Sequence, residues 1–563
     1  MIARSARLAL IYLLEAIAVL LALVIFAAAA LLWRLAGGPV DLDVIASGLR
    51  PSIAEALGGE EARYASATVR YAPDLTALVV DMRGVQVAGR GGEVLAAAER
   101  VELALALDQL VIGRVRPVAV AAEGGVFSVQ RDGDGVLGAT LGARSTRADN
   151  GTGDAGALLS RLRRAQISGA ELRVNDAISG LSVRFVDAAI NLRLDDEARH
   201  LDARAGLLAP AGVVPVAFSL ETGERAEEVF LTFSTRDLVP ASLGPLRGEW
   251  ALISRLDAPV SADIVMDASR SAGLRALEVT LEAGEGLLRG PDGNLAIASG
   301  VLDASLDAGA GELDIRTLAL DSALARLSVT GRVFDFAGFD SAFPSRARYA
   351  LDFGEGGFTL EDVFPGPVAW DALSAHGRVD LEERQLIFDR LAVSLMELEG
   401  QFEGALGLSE TELGLRPDIA FEGGIDGVIT KDAVLALWPV DFALGARDWV
   451  SESILAGRLT NARLDIDIPA SAFEAGQLED DHLSLAFDFA GARVRYISLM
   501  TPLEGLSGSA ELRGASLSLE GQNGRIGDLA IDTVFVEIPR FVPRGAPARF
   551  GGEGRGNLPD LIA

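Results

Sequence analysis

Apolar and polar residues alternate with a period of two along most of the chain after residue 57. This alternation predicts β-strands with one apolar and one solvated face, because successive side chains of a strand point to opposite sides. It is clearest in the stretches 101–108, 396–408, 462–468, 483–489 and 534–538. Turns rich in Gly and Asp separate the stretches, including Asp132–Gly135, Pro291–Asn294 and Asp307–Gly311. A spacing of roughly 10–15 residues between strands predicts a few tens of strands.

Helical spacing is confined to a few segments. Asp43–Leu57 places apolar residues four apart, which predicts a short amphipathic helix. The alternation is lost over residues 140–160, and we interpret this stretch as a loop or linker. A short basic helix is predicted to follow the linker at Leu158–Ala165.

Residues 430–456 predict a helical insertion in two pieces. Thr430 is the expected N-cap of the first piece, and Pro439 breaks it. One side of the second piece carries Trp449, Ile454 and Leu455. Together, these patterns divide the chain into six parts. They are a cytoplasmic N-terminus and anchor at 1–34, a β region with a short amphipathic helix at 35–140, a linker and short helix at 141–165, β repeats at 166–429, the helical insertion at 430–456, and further β repeats at 457–563.

The apolar segment Leu8–Trp33 predicts a transmembrane helix. It has 26 residues with a single acid, Glu15, and crossing a bilayer takes roughly 20 residues. Arg4 and Arg7 precede it, so the positive-inside rule places the N-terminus in the cytoplasm and the body outside. We therefore expect a single-pass protein of the bacterial inner membrane with a periplasmic body. The alternative is a cleaved signal peptide with its site at Ala27–Ala30.

The composition narrows the range of functions. The net charge is −30 and the pI is about 4.5, which argues against binding to nucleic acid. No Cys is present, so disulfides, zinc–thiolate sites and Cys nucleophiles are excluded. The mean hydropathy of the whole chain is +0.30. The apolar N-terminal segment accounts for only part of this value, so the body is also more apolar than a soluble globular protein requires. The 63 Gly residues suit tight turns and close backbone approaches.

Two glycine-containing motifs resemble ligand loops without meeting their requirements. Gly151, Gly153 and Gly156 have the G-x-G-x-x-G spacing, but the polar residues 145–150 precede them where a dinucleotide fingerprint needs an apolar strand. Asp132–Gly135 resembles the start of a calcium loop but lacks the later acidic ligands. We interpret the first as a flexible linker and the second as a hairpin turn.

No group of residues predicts catalysis. The three histidines, His200, His376 and His482, stand apart in the sequence and are expected on sheet surfaces or in turns. Adjacent acids such as Glu382–Glu383 and Asp480–Asp481 are expected by chance in a chain with 80 acidic residues. We therefore predict no enzyme activity, no catalytic or metal site, and no cofactor.

The organisation of the chain resembles the AsmA-like family of bacterial envelope proteins, and within it the YhdP-like proteins. The resemblance rests on the anchor, the amphipathic helix and the phrase Val101–Gly135, which is similar to a family pattern of two strands followed by one carrying R-D-x-D-G. It rests further on Ala433–Asn461, where Pro439, Trp449 and Gly457 occupy positions of the family's middle region.

This resemblance implies a mainly β fold, in which a transmembrane helix is followed by a long, twisted antiparallel β-groove with a few short helices. The family's groove is taco-like, and its apolar concave face is thought to carry phospholipid acyl chains between the inner and outer membranes. Membrane lipids are then the expected partners, besides a protein of the outer membrane or periplasm. The candidate groove residues are Met396, Leu398, Phe402, Leu406, Leu408, Leu464, Ile466, Leu485, Phe487 and Phe489.

An exposed apolar sheet face is consistent with this expectation, because such a face must be covered by other protein or must bind an apolar ligand. About 30 strands spaced ~4.8 Å apart would make a trough of about 140 Å, and we expect the β repeats to continue beyond residue 563.

Three alternatives stay open. They are a closed β-sandwich, a TamB-like factor that offers sheet edges to outer-membrane proteins, and a secreted β-rich enzyme or adhesin.

Overall fold

The computed structural model describes residues 40–41, 61–72, 76–88, 94–111, 117–133, 137–141, 163–194, 198–223, 227–290, 293–336, 345–411, 414–440, 444–475, 479–496, 500–540 and 547–556. The predicted anchor Leu8–Trp33 and amphipathic helix Asp43–Leu57 lie outside these residues. So do the three glycines at 151, 153 and 156. Within the described part of the chain, no helix combines the length and the apolar character that a membrane crossing requires.

The fold is mainly β, as the alternation predicts, and few helices interrupt the strands. The chain divides into two compact units, Met1–Val265 and Met266–Ala563. The division falls within strand β15 (Val260–Ser269).

The strands of the first unit are β1 (Val40–Asp41), β2 (Glu61–Arg63), β3 (Ser66–Ala72), β4 (Ala77–Ala88), β5 (Val94–Ala106), β6 (Pro117–Glu123), β7 (Val126–Arg131), β8 (Leu137–Leu141), β9 (Arg164–Asp176), β10 (Ser182–Leu194), β11 (Ala198–Ala209), β12 (Gly212–Gly223), β13 (Glu228–Leu238) and β14 (Leu256–Asp257). Helix α1 (Leu107–Val111) follows β5, and 3₁₀ turns lie at Pro240–Leu243, Gly248–Ala251 and Ile253–Arg255.

The first unit has its best-buried core where β3, β4 and β5 pair in antiparallel order. Met82 and Leu103 are fully buried there, packed with Val69, Val80 and Val101. Farther along, β9 to β13 pair in sequence as antiparallel neighbours. The antiparallel prediction is wrong where β6 and β7 pair with β9, because both run parallel to it.

The strands of the second unit are β16 (Gly273–Ala283), β17 (Gly286–Arg289), β18 (Asn294–Asp307), β19 (Glu312–Ser322), β20 (Ala325–Phe334), β21 (Arg346–Phe353), β22 (Gly356–Phe358), β23 (Val368–Trp370), β24 (Ala372–Asp380), β25 (Gln385–Leu395), β26 (Leu398–Thr411), β27 (Gly414–Asp426), β28 (Ile429–Thr430), β29 (Ile454–Ile468), β30 (Leu483–Val494), β31 (Leu503–Arg513), β32 (Ser516–Ile526), β33 (Leu529–Ile538) and β34 (Arg549–Arg555). Its helices are α2 (Lys431–Leu437), α3 (Leu444–Ser453) and α4 (Ala470–Ala475).

The second unit is built from strands that pair antiparallel with their neighbours along the chain. The series runs β16, β18, β19, β20, β21, β24, β25, β26, β27, β29, β30, β31, β32, β33 and β34. Tight turns join many of the strands. At one of them, Asp307 accepts a hydrogen bond from the Ala310 amide at 2.9 Å through its side chain, as its turn assignment predicts.

The helical insertion is confirmed, with boundaries that differ slightly from the prediction. Thr430 caps α2 by accepting a hydrogen bond from the Ala433 amide at 3.2 Å. Ile454 and Leu455 were expected in the second helix, but they begin β29. Helix α3 ends at Ser453, where the Lys431 ammonium donates hydrogen bonds to the carbonyls of Ser451 and Ile454 at 2.7 and 2.8 Å.

Two further boundaries were predicted wrongly. Arg164 and Ala165 belong to β9, although the sequence predicts a short helix there. These two residues are too few to show the alternation of a strand, and the helical spacing before them dominates the pattern. Leu107 was assigned to a strand but starts α1. The remaining residues of the predicted helix at Leu158–Ala165 lie outside the described part of the chain.

Candidate functional site: an open apolar face in the second unit

A single row of directly opposed residues crosses fourteen strands of the second unit, and every residue in it is apolar. The strands are those from β16 to β33 in the series above. The row consists of Val279, Ala304, Ile315, Gly331, Leu351, Ala375, Leu391, Phe402, Gly423, Leu464, Leu485, Leu512, Leu517 and Ile538. Opposed residues share one face of a sheet, so we call this the central row of the apolar face.

Two flanking rows extend the same face on either side of the central row. One consists of Leu281, Leu302, Leu318, Val329, Phe353, Leu373, Val393, Gly400, Ile425 and Ala462. The other consists of Leu277, Leu306, Leu313, Val333, Tyr349, Gly377, Phe388, Gly404, Phe421, Ile466 and Leu483. The three rows together are the apolar floor.

A shift of one residue along the strands reaches the opposite, polar face. One row there consists of Glu278, Ser305, Asp314, Arg332, Ala350, His376 and Arg390. Ion pairs link neighbouring strands on this face, including Arg346 with Asp380 at 2.7 Å and Arg378 with Asp389 at 2.8 Å. The register of each pair therefore separates apolar from charged residues over the whole series.

The apolar floor stays partly exposed to solvent. In the central row, Ala304 and Ala375 are buried, and the other twelve residues, including every Leu, Ile, Val and Phe, keep part of their surface accessible. The large apolar residues of a sandwich core would be fully enclosed by the facing sheet. The face is therefore open along the central row, and a closed sandwich does not describe this row, whereas Leu306, Val329 and Tyr349 of the flanking rows are buried.

Strand geometry gives the size of the floor. Fourteen strands spaced ~4.8 Å apart extend about 60 Å along the central row. Residues two apart on a strand are separated by about 7 Å, so three rows span about 14 Å. The floor is a stripe of apolar surface several times longer than it is wide, which suits an extended apolar ligand.

Aromatic rings and glycines alternate on the floor. Phe402 lies opposite Gly423, Phe421 lies opposite Gly404, and Tyr349 lies opposite Gly377. A Cβ atom at position 404 would lie 2.8 Å from the Phe421 Cδ1 atom, and one at 423 would lie 2.5 Å from Phe402 Cδ1. Each ring thus covers a neighbouring backbone that has no side chain of its own, which accounts for several of the glycines in the sequence.

Tyr349 brings a hydroxyl to this apolar face and satisfies it internally. Its hydroxyl donates a hydrogen bond to the Ile387 carbonyl at 2.9 Å, and its ring contacts Phe388 edge-on at 6.1 Å between centroids. Burial raises the pKa of Tyr349 to about 12, so the side chain is uncharged at neutral pH. The floor therefore carries no charge at this position.

Nine of the ten candidate groove residues lie on strands of the apolar face. Leu398 and Phe489 are buried, while Leu406 and Leu408 are exposed towards the end of β26. The partly exposed remainder is Phe402, Leu464, Ile466, Leu485 and Phe487. The apolar residues between β16 and β25 are not among the predicted groove residues. The sequence of a single strand does not show which residues of neighbouring strands lie opposite it.

Met396 is the exception, because it does not lie on a strand. Met396 and Glu397 have φ angles of 52° and 63° and form the two-residue turn between β25 and β26, where Leu395 pairs with Leu398. Positive φ at both turn residues is the geometry of a type I′ hairpin. The strand prediction for 396–408 was therefore two residues too long at its start.

Helix α2 covers part of one margin of the apolar face. Its residues Ala433 and Val434 pack on a buried cluster of Leu398, Ile429 and Ala462. Of the three family-motif positions, Pro439 follows α2, and Trp449 is exposed on α3. Gly457 lies on β29 with a φ of 146°, where few side chains are tolerated.

The polar face has one row in which carboxylates meet. Glu403 lies opposite Glu422, and Glu422 lies opposite Asp465. A hydrogen bond and charge repulsion from Glu403 raise the pKa of the Glu422 carboxyl above its usual range. A shallow depression over this row is lined also by Arg390, Gln401 and Arg463. We assign no chemistry to it.

The histidines lie on sheet surfaces or in a turn, as predicted. His200 is on β11 near Glu221, and His376 is exposed on β24. His482 is in the turn before β30, where its ligand atoms lie within 4.8 Å of those of Glu479 and Asp481. The Glu479 amide already donates to His482 Nδ1 at 3.0 Å, so the turn's own hydrogen bond explains this cluster.

Comparisons of the chain with known protein families, characterised proteins and solved structures found no match. The resemblance to AsmA-like proteins therefore stays a prediction from the sequence.

Proposed function

We propose that the apolar floor binds phospholipid acyl chains, and that the protein carries phospholipid between the inner and outer membranes of a bacterial envelope. The observation that carries the proposal is the central row from Val279 to Ile538, which is apolar at every position and in which every Leu, Ile, Val and Phe is partly exposed to solvent. Soluble proteins rarely leave a long apolar surface without a ligand or partner.

Acyl chains fit this floor in their chemistry and in their shape. Each chain is unbranched and apolar, and needs contact along its length without hydrogen bonds. The rows offer such contact on consecutive strands, while the charged residues lie on the opposite face. Head groups would remain in water beside the floor, because no charge lies in its rows to hold them.

The proposed location rests on the sequence of the N-terminal segment. Arg4 and Arg7 before Leu8–Trp33 favour a cytoplasmic N-terminus and a periplasmic body. Reporter enzymes fused after Gly38 would test this orientation. Activity only outside the cytoplasm supports the proposal, and activity inside the cytoplasm rules it out.

Mass spectrometry of lipid that co-purifies with the full chain tests the function. Phe402→Glu places a carboxylate in the central row, and Glu403→Lys is its neighbour on the polar face. We expect bound phospholipid in the wild type and in Glu403→Lys, with a several-fold loss in Phe402→Glu. A bound polypeptide without lipid would favour the assembly-factor function. Lipid content that is equal in all three proteins would contradict binding at the floor.

A further inference from the structure

One end of the β9–β13 sheet in the first unit carries an exposed apolar surface that the proposed lipid-carrying function does not use. The β9–β10 turn, the β11–β12 turn and the segment after β13 all lie at this end, because these strands are consecutive antiparallel neighbours. The Arg247 amide, in the segment after β13, donates to the Ser179 carbonyl in the β9–β10 turn at 2.8 Å. The connections therefore form one surface, which we call the apolar tip.

Large apolar side chains are exposed to solvent in the β9–β10 turn, in the segment after β13 and at the ends of β11 and β12 beside their turn. Trp250 is 55% exposed and Leu252 is 68% exposed, and both belong to the segment of short 3₁₀ turns after β13. The other exposed apolar residues at this end are Ile178, Leu208, Val213 and Ile253. The described part of the first unit provides no cover for them.

The charge of the tip differs from that of the rest of the chain. The connections and adjoining strand ends at residues 177–181, 208–213 and 240–255 contain two arginines, Arg247 and Arg255, both exposed, and one acid, Glu249. About one residue in seven of the whole chain is acidic. A negatively charged surface repels most of this protein because of its many acidic residues. The tip can approach such a surface with a smaller electrostatic penalty.

Two acids near the tip, Asp176 and Glu171, are already paired. Asp176 accepts hydrogen bonds from the Ile178 amide and the Ser179 hydroxyl, at 3.0 and 2.6 Å, and forms an ion pair with Arg131 at 3.4 Å. Glu171 pairs with Arg173 at 2.8 Å. Asp176 and Glu171 are therefore neutralised by partners, and Arg247, Arg255 and Glu249 give the residues 177–181, 208–213 and 240–255 a net charge of +1.

We propose that the apolar tip docks on the surface of an anionic phospholipid bilayer. Trp250, Leu252 and Ile253 enter the interfacial layer, where an indole ring and aliphatic side chains are favoured. Arg247 and Arg255 extend their apolar stems along the interface and meet lipid phosphates with their guanidinium groups. This docking does not depend on acyl-chain binding by the apolar floor of the second unit.

The absence of Cys makes a site-resolved test direct. An environment-sensitive fluorophore is attached to the full chain at Leu252→Cys or, as the matched control, at Leu381→Cys. Leu381 is also exposed, at 54%, but lies in the turn after β24 of the second unit. Each protein is added to vesicles of phosphatidylcholine alone or with phosphatidylglycerol, in versions with and without brominated acyl chains. The readout is local and is therefore unaffected by any insertion of residues 8–33.

We expect a blue shift at position 252 with phosphatidylglycerol vesicles, together with quenching by the brominated lipid several-fold stronger than at position 381. Arg247→Glu combined with Arg255→Glu should abolish both signals while the melting temperature stays unchanged. No shift at 252, or equal quenching at the two positions, would overturn the proposal. A shift at 252 without bromolipid quenching would indicate contact with protein and would overturn it as well.

Discussion

Phe402 on β26 lies directly opposite Gly423 on β27, and its ring occupies the space that a side chain at position 423 would need. The central row continues through this pair without a gap, from Leu391 on one side to Leu464 on the other. A larger residue at 423 would push the ring off the floor and bring a Cβ atom against the Gln401 carbonyl oxygen. The glycine is therefore part of the apolar surface.

Gly423→Ala is expected to destabilise the second unit by about 1–3 kcal/mol, because the added methyl group meets both the Gln401 carbonyl oxygen and the Phe402 ring. Gly366→Ala is the control, since a Cβ atom there meets nothing within 4 Å. It should be neutral or slightly stabilising. Thermal melting of the two variants beside the wild type measures the difference. Equal melting temperatures for the two variants would mean that Phe402 and the Gln401 backbone are not closely packed on Gly423.

Phe402→Glu is expected to fold, with a loss of about 2 kcal/mol, because the site is partly exposed and the carboxylate can keep water contacts. The control Glu403→Lys should be at least as stable as the wild type, since it replaces one of two opposed carboxylates. Melting curves and circular dichroism test both. An unfolded Phe402→Glu protein would indicate that a second layer encloses the site.

Asp81→Asn is expected to lower stability at pH 7 by about 1 kcal/mol, because Asp81 is a partly buried partner of Arg100. The hydrogen bonds from Arg100, at 2.7 and 2.9 Å, hold the pKa of Asp81 below its usual value of 3.8. The stabilisation is therefore complete above pH 3.8 and is lost as the pH falls through the lowered pKa.

Denaturant unfolding of Asp81→Asn and wild type at several pH values measures this effect, and the difference should shrink below pH 3.8. Glu312→Gln provides a control at an exposed ion pair, with Arg332 at 3.4 Å. It should change stability little at any pH. A constant difference for Asp81→Asn across the range would show that ionisation of Asp81 contributes nothing.

Glu422→Gln should raise the melting temperature at pH 7. The pKa of Glu422 is raised in the folded state, so its protonated form stabilises the fold at low pH and this contribution is lost as the pH rises through the raised pKa. At neutral pH, Glu422 then faces Glu403 on one side and Asp465 on the other. Melting curves at pH 4 and pH 7 should show the gain only at pH 7. A larger gain at pH 4 would contradict the assigned direction.

Most strands could be predicted from the sequence, because one face of each strand is apolar and the other is solvated, which produces the alternation of apolar and polar residues. Ala462–Ile468 and Leu483–Phe489 are strands as expected. The register between strands could not be predicted, since turns and bulges set it. The bulge at Phe388–Leu391 is one example, because it decides that Leu391 faces Phe402. The central row is therefore a property of the fold that no single stretch of sequence reveals.

The turn at Met396 and Glu397 has no recognisable turn signal in the sequence. The turn residues Met396 and Glu397 extend the alternation of β26 backwards by coincidence, although Leu395 and Met396 are adjacent apolar residues and the apolar positions change parity there. The residues 394–399 contain no Gly, Asn or Asp to mark the reversal. The positive φ of Met396 and Glu397 becomes apparent only in the structure.

The most direct test of the account uses two adjacent residues on opposite faces of β29. Leu464 belongs to the central row, and Asp465 faces the polar side opposite Glu422. A photo-crosslinking amino acid is placed at either position in the full chain, and the adducts formed in cells are identified by mass spectrometry. We predict phospholipid adducts at position 464 and none at position 465. Adducts with lipid at both positions, or at neither, would contradict the binding of acyl chains by the apolar floor.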